Sequence, residues 1–325
     1  MPKFLTFHDL ADLATDYCAE LAHTRRLPQN LFYFLEGAQS FYAYRNSDVN
    51  QIAWEDEVRF LTQQHLLQPE GILAFCSLGC GNAAPEKMVL RTIYAAGYQL
   101  IYVGVDSSAQ MLELAEANLE GEVFPHRLVL ADFMRPDFPA RLWALLDPAS
   151  VRLYAMMGGT FGNLDQHQAR TMLARLVRPG EYAYVDVVPQ YADEQQNARL
   201  RQRLLQLPQN LPAFFERLLS SLGLSPDQGV FRSHELLERE PEALKYTFFF
   251  EVKREVTVSC LGHRFVLQAG DRLELLTVRA YVIPSLIAFM AERGFELMGT
   301  HVPRVGRLSH LWQRILFVRT TAKPE

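Results

Sequence analysis

Between residues 72 and 188 the chain alternates short apolar runs with helical stretches, which leaves few folds open to it. The runs are ILAFCSL, LIYVGVD, HRLVLAD, VRLYAMM and EYAYVDVV. Most are followed by a segment of helical spacing, such as EKMVLRTIYAAG, SAQMLELAEANLE or LDQHQARTMLARLV. HRLVLAD instead leads into a proline-broken connection through Pro136 and Pro139. Strands that are apolar throughout are buried on both faces, and strand–helix alternation gives a parallel sheet covered by helices. Residues 1–66 read as mostly helical, broken at RRLPQNLFYF. After Pro189 the rhythm changes. A polar helical stretch (ADEQQNARLRQRLLQL) and an aromatic one (LPAFFERLLSSLG) precede KYTFFFEVKREVTVSC, HRFVLQ and DRLELLTVRAYV. These three alternate at period two, the mark of an antiparallel meander. The helix PSLIAFMAERG and two strands, FELMGTHV and WQRILFVRT, close the pattern.

Composition excludes several function classes. The net charge is −5, from 32 basic and 37 acidic residues, and the basic residues are dispersed. This gives no sequence-wide attraction to nucleic acid or to an anionic membrane. HTRRLP is too short for a basic patch, and no apolar run approaches the ~18–20 residues of a membrane span. The opening MPKFLTFHDLADLATDYCAEL carries acids among its apolar residues and reads as an amphipathic helix, not a signal peptide. The four cysteines (Cys18, Cys76, Cys80, Cys260) form no disulfide framework by spacing, so a reduced, cytoplasmic setting is expected. None of the nine histidines has metal-ligand spacing, so no metal site is expected.

In an open α/β sheet the ligand sits beyond the carboxyl ends of the strands. After ILAFCSL comes GCGN, where Gly79 and Gly81 allow a tight turn and close approach to the backbone, followed by Glu86 and Lys87. LIYVGVD ends in Asp106, placed to accept both hydroxyls of a ribose. HRLVLAD ends in Asp132 and Phe133, suited to an adenine amino group and its ring face. GCGNAAP lacks the full G-x-G-x-x-G spacing, which disfavours a dinucleotide.

These strand-end groups and the terminal strand pair resemble a class I S-adenosylmethionine (SAM)-dependent methyltransferase. GGTFGN at 158–163, EK after the first loop and DSSAQML after the second strand resemble the histidine-specific methyltransferase family of ergothioneine biosynthesis. The resemblance implies an α/β fold with a Rossmann-like seven-stranded sheet, mostly parallel with a terminal antiparallel pair. It implies a smaller α+β accessory domain as well. Residues 67–188 plus 282–325 would bind the cofactor; residues 1–66 plus 189–281 would recognise substrate. SAM would be held by Gly79, Gly81, Lys87, Asp106, Ser107, Asp132, Phe133 and Gly158, and S-adenosylhomocysteine (SAH) would be a product. Asn163 and Tyr191 match residues that grip an amino-acid carboxylate, and Tyr33 matches an aromatic near the amino group. Tyr33 and Tyr191 are the candidate catalytic groups. The bland alternatives are that Asn163 caps the helix starting at Leu164, that Tyr191 is a surface residue and that Tyr33 lies in the core.

The chain departs from the family at its imidazole-selecting Glu and Ser. Aligning TVRAYV to that place puts Thr277 and Arg279 there. Arg cannot accept a hydrogen bond and favours planar anions. The expectation is therefore an N-methyltransferase acting on a small amino acid or amine other than histidine, with acceptors that carry an acidic or carbonyl group among the candidates. Arg279 could instead point outward from an exposed strand. Period two places Thr277 and Arg279 on one face. The alternatives are an O- or C-methyltransferase of a specialised metabolite, or a non-catalytic cofactor-binding protein. The expected partners are a small-molecule substrate, with no nucleic acid or membrane, in a monomer or weak homodimer.

Overall fold

The computed structural model describes residues 4–28, 31, 54–146, 151–210, 212–303 and 312–321. Strand β1 (Leu5–Thr6), helix α1 (Leu10–Thr24) and helix α2 (Trp54–Gln63) precede the alternating region. That region runs β2 (Ile72–Leu78), α3 (Ala84–Ala95), β3 (Gln99–Asp106), α4 (Ala109–Leu119), β4 (His126–Leu130) and α5 (Phe138–Trp143). It continues through β5 (Val151–Met156), α6 (Thr160–Asn163), α7 (Gln166–Leu176) and β6 (Tyr182–Pro189). Then come α8 (Glu194–Leu205), α9 (Leu207–Asn210), α10 (Pro212–Ser221), and strands β7 (Gly229–Arg239), β8 (Glu242–Val252), β9 (Val256–Cys260), β10 (His263–Leu267) and β11 (Arg272–Tyr281). Helix α11 (Ile283–Ala291) and strands β12 (Phe295–His301) and β13 (Gln313–Arg319) complete the described elements.

The core strands lie in the order β4-β3-β2-β5-β6, all parallel, followed by β13 antiparallel to β6 and β12 antiparallel to β13. This is the mostly parallel seven-strand core with a terminal antiparallel pair that the class I methyltransferase resemblance implies. The chain reverses its direction of travel across the sheet between β2 and β5, which makes a topological switch point there. Period-two alternation sends Ala74, Cys76 and Leu78 to one face and Leu73 and Phe75 to the other. The first face is covered by α5, α7 and α11, and the second by α2, α3 and α4.

The sheet is wider than seven strands. Strand β1 adds a parallel edge to β4, and β11, β8 and β7 extend it on the other side. Strand β6 changes partner along its length: Tyr182–Val187 pair with β13, while Val188 and Pro189 pair with Ala280 and Tyr281 of β11. This antiparallel extension is thus grafted onto the carboxyl end of a core strand, the side where a ligand is expected. It is not the meander expected, because β8 pairs directly with β11 and β9 with β10 forms a separate two-stranded sheet. Its apolar face shares one core with the amino-terminal helix, where Leu13, Cys18 and Leu21 of α1 meet Phe214, Phe215, Phe248 and Phe250.

Cys18 and Cys260 form a disulfide, with Cα atoms 6.0 Å apart across 242 residues of sequence. This corrects the expectation of no disulfide; a pair so distant leaves no spacing signature. Cys76 and Cys80 are free and buried. Among the described residues no helix is long and apolar enough to cross a membrane.

Candidate active site

At the end of β2 the chain turns sharply, with Gly79 and Gly81 at φ of +74° and +54°, a region L side chains rarely adopt. The N–H groups of Gly79 and Cys80 both donate to the Val105 carbonyl (2.9 and 3.0 Å), stitching the turn to β3. A Cβ on Gly79 would lie 3.1 Å from Thr160 Cγ2 and 3.8 Å from the Phe133 ring, and one on Gly81 3.1 Å from Met111 Cε. The glycine turn, the residue after β4 and the start of α6 therefore close on one point.

Asp106 ends β3 and is 5% exposed. Its Oδ2 accepts the Gly81 N–H and its Oδ1 the Ser108 N–H, each at 2.9 Å. Burial pushes this carboxyl up to about 6, against the opposing pull of backbone N–H groups from Ser108, Gly81 and Ser107. Ser107 is buried beside it, and the Ser108 hydroxyl caps α4 by accepting the Met111 N–H. After β4, the buried Asp132 accepts the Met134 N–H at 2.9 Å. Its own N–H donates to His8 Nδ1 at 3.1 Å. His8, which sequence patterning does not single out, braces that loop from the amino-terminal segment.

After β5, Gly158 and Gly159 take φ of +75° and +83°. The Gly158 N–H donates to Asp186 Oδ2 at 3.0 Å. A Cβ on Gly159 would fall 2.7 Å from the Trp312 ring, so the indole lies directly against this turn. The one-turn helix α6 follows and ends at Asn163. The cap of α7 is Asp165, whose Oδ1 accepts the Gln168 N–H at 3.0 Å. The capping alternative for Asn163 is thereby removed.

A cavity of about 260 Å³ lies among α1, the loop after β4, the α6–α7 turn and strands β8 and β11. Tyr17, Glu20, Asp132, Asn163, Glu274, Thr277 and Arg279 all line it. Burial raises the Glu20 carboxyl; Arg26 opposes that shift and Asp132 adds to it. Thr277 Oγ1 donates to Glu274 Oε1 at 2.9 Å, and Arg26 pairs with the same oxygen at 3.0 Å. Arg279 is buried. Its Nε and Nη2 donate to Glu238 at 2.6 and 3.2 Å, and its Nη1 donates to the carbonyls of Gly162 (3.1 Å) and Leu164 (2.7 Å).

One alternative falls here and one feature is added. Arg279 does not point outward from an exposed strand, and its guanidinium is already committed to protein acceptors. A carboxylate is also present in the cavity, because Glu274 stands three positions before Thr277 and is held by it. The bulge between Glu274 and Leu276 in the pairing of β11 with β8 is a local feature that alignment alone does not reveal.

The remaining candidates fall as follows. Lys87 Nζ donates to the Asn118 carbonyl at 2.5 Å and pairs with Glu122 at 3.1 Å, which places its ammonium on the α3–α4 seam. The Tyr191 hydroxyl is buried without a hydrogen-bond partner among the described residues. Burial raises the pKa of that phenol. Asn197 brackets the Tyr191 backbone at both ends, at 2.7 and 2.5 Å. Tyr33 lies outside the described residues.

Residues 13–185, just over half of the chain, match the family model of the histidine-specific, SAM-dependent methyltransferases. The chain belongs to that family. It is accordingly a SAM-dependent methyltransferase. No curated protein matches it. Among solved structures it is similar to a SAM-dependent methyltransferase from Clostridium acetobutylicum: 12% identity, 82% of this chain and 91% of that one, TM-score 0.43. It is also similar to the 1,6-didemethyltoxoflavin-N1-methyltransferase of Burkholderia thailandensis: 14% identity, 96% of this chain and 88% of that one, TM-score 0.41. Likenesses at this level carry no argument of their own, and the fold stands on its strand order. The strand ends fit the family's cofactor: two glycines have little room for a Cβ, and a buried carboxylate stands beside them.

Proposed function

We propose that this methyltransferase moves the methyl group of SAM to the amino nitrogen of a small amino acid or related amine seated in the Asn163 cavity. The observation that carries the reading is that Asp132 and Asn163, from two strand-end loops, share one cavity with side chains of α1 and β11. Of the strand-end cofactor groups Asp132 lines that cavity, so an acceptor there would adjoin the cluster at Asp132. Residues 67–188 plus 282–325 would serve the cofactor and residues 1–66 plus 189–281 the acceptor. The core shared by α1 and the inserted strands supports the second grouping, although α2 packs on the main sheet.

In this reading Asp106 accepts the ribose hydroxyls, and the Phe133 ring and Asp132 face the adenine. Gly79, Gly81, Ser107 and Gly158 give the backbone close approach. Lys87 has no part in this reading as a cofactor contact, because its ammonium is committed to Asn118 and Glu122 on the α3–α4 seam. The bound cofactor supplies a methyl group already activated on a sulfonium. The chain's own task is to present a neutral nitrogen in line with it and to exclude water, so proximity and orientation carry most of the rate. Asn163, which lines the cavity, orients the acceptor's carboxylate; Tyr191 is not among the lining residues and is assigned to that carboxylate by the family resemblance alone. A phenol whose pKa is raised by burial is a poor proton acceptor, which makes Tyr191 an orienting group rather than a base. Glu20, whose carboxyl is raised, is better matched to take the ammonium proton, directly or through water.

The committed Arg279 removes the argument for an acidic or carbonyl-bearing acceptor. Glu274, whose Oε1 is held by Thr277 and Arg26, keeps its other oxygen for a donor, which favours an acceptor with an N–H or O–H on its side chain. The absence of the family's imidazole-selecting Glu and Ser at positions 277 and 279 favours an acceptor other than histidine, while Glu274 and the family favour a second reading, histidine itself. A mass-spectrometric methylation screen over amino acids, amines and carboxylates tests the proposal. The expected product carries its new methyl on an amino nitrogen. Methylation confined to carboxylates, hydroxyls or carbon would overturn it.

A further inference from the structure

We infer that Arg279 is a positioning residue that sets the Asn163 turn from the inserted sheet, with Glu238 holding its guanidinium. The inference rests on the reading that Asn163 orients the acceptor. Helix α6 is four residues long, too short to be stable on its own hydrogen bonds. Its end is held from outside. Arg279 Nη1 donates to the carbonyls of Gly162 and Leu164, the residues on either side of Asn163, so the backbone before and after it is held by one nitrogen.

The guanidinium is itself fixed. Glu238 accepts from its Nε and Nη2, a two-point contact that sets the plane of the group. An ammonium could not reproduce that fork and reach two carbonyls as well. Lys245 stands 3.7 Å from Glu238 and helps balance the carboxylate. A second clamp comes from Tyr281, two residues along β11. Its hydroxyl donates to Gln166 Oε1 at 2.6 Å, and Gln166 Nε2 donates to the carbonyls of Phe161 (3.1 Å) and Leu164 (2.9 Å). Residues 279 and 281 share a face of the strand. Strand β11 thus grips the turn at two points. An arginine buried at this place is explained by what it holds, with no contact to the acceptor required.

The test compares Arg279→Met, Arg279→Lys, Glu238→Gln, Asn163→Ala and the Arg279→Met/Asn163→Ala pair. Acceptor KM, turnover, SAH affinity by calorimetry and amide exchange over residues 158–168 are measured for each. Arg279→Met is expected to raise acceptor KM about tenfold or more while SAH affinity stays within about threefold. Arg279→Lys rescues only part of that loss. The paired variant is no worse than Asn163→Ala alone, because both changes remove the same function. Exchange across residues 160–166 accelerates in Arg279→Met and, to a lesser degree, in Glu238→Gln. Effects on acceptor KM that multiply, or exchange that stays at the wild-type rate, would overturn the inference. An unchanged acceptor KM in Asn163→Ala would sink the Asn163 reading alone, and the exchange data would still decide the role of Arg279. Glu238→Gln keeps the test open should Arg279→Met fail to fold.

Discussion

Asp106→Asn separates binding from stability. In the folded chain this carboxyl titrates at about 6 instead of the usual 3.8. At neutral pH the ionised group therefore costs the fold about 3 kcal/mol relative to the unfolded chain. Asparagine removes that cost. It also puts an amide donor against one of two backbone N–H groups, Gly81 or Ser108, for a loss of about 1.5–3 kcal/mol. The two effects nearly offset, so stability at pH 7.5 should change by no more than about 1.5 kcal/mol. Cofactor binding has no such compensation. Losing a charged acceptor for the ribose hydroxyls should weaken SAH by roughly 10–100-fold. The sign of the pH effect follows from the raised pKa. Between about pH 4 and 6 the native state binds more protons than the unfolded chain, so this group's contribution makes stability fall as pH rises through that window. The variant should lose that slope. Calorimetry with SAH and thermal melts across pH 4–8 supply the data. An SAH affinity within about threefold of wild type would refute the assignment of Asp106.

Other perturbations test neighbouring pieces of the account. Gly159→Ala forces a side chain into φ +83° and against the Trp312 ring, which should cost about 2–4 kcal/mol in a thermal melt; an unchanged melting temperature would contradict the placement of Trp312. Tyr191→Phe removes a buried hydroxyl that has no partner among the described residues, so stability should hold or rise by up to about 1 kcal/mol while acceptor KM rises. A loss of SAH affinity in that variant would mean that Tyr191 serves the cofactor. Reducing Cys18–Cys260 should lower stability by about 2–5 kcal/mol, read as a drop in melting temperature with dithiothreitol that Cys18→Ala/Cys260→Ala no longer shows.

The legible parts of the chain were those whose physics is local. ILAFCSL, LIYVGVD and EYAYVDVV are short and mostly apolar, and β2, β3 and β6 fall on them. Strand β7 escaped because GVFRSHELLER is an edge strand with mostly exposed or half-buried residues, including four charges, and no clean alternation. Helix α6 escaped because one turn is shorter than any helical period. Within the site, the strand-end acids could be read because position alone marks them. The role of Arg279 could not, since it depends on Glu238, 41 residues away, and on two carbonyls more than a hundred residues upstream. Glu274 was hidden for a related reason: its place in the cavity depends on a bulge and on Arg26. The part α1 plays, through Tyr17 and Glu20, follows from a core that joins the amino terminus to the insertion.

The most direct test of the central claim is methyl transfer itself. Purified protein would be incubated with methyl-deuterated SAM and a panel of amino acids that includes histidine, and the products read by tandem mass spectrometry. A labelled methyl is expected on the amino nitrogen of at least one amino acid with a hydrogen-bond-donating side chain, and its loss in Asn163→Ala. No labelled amino acid from a protein that binds SAH tightly would contradict the claim.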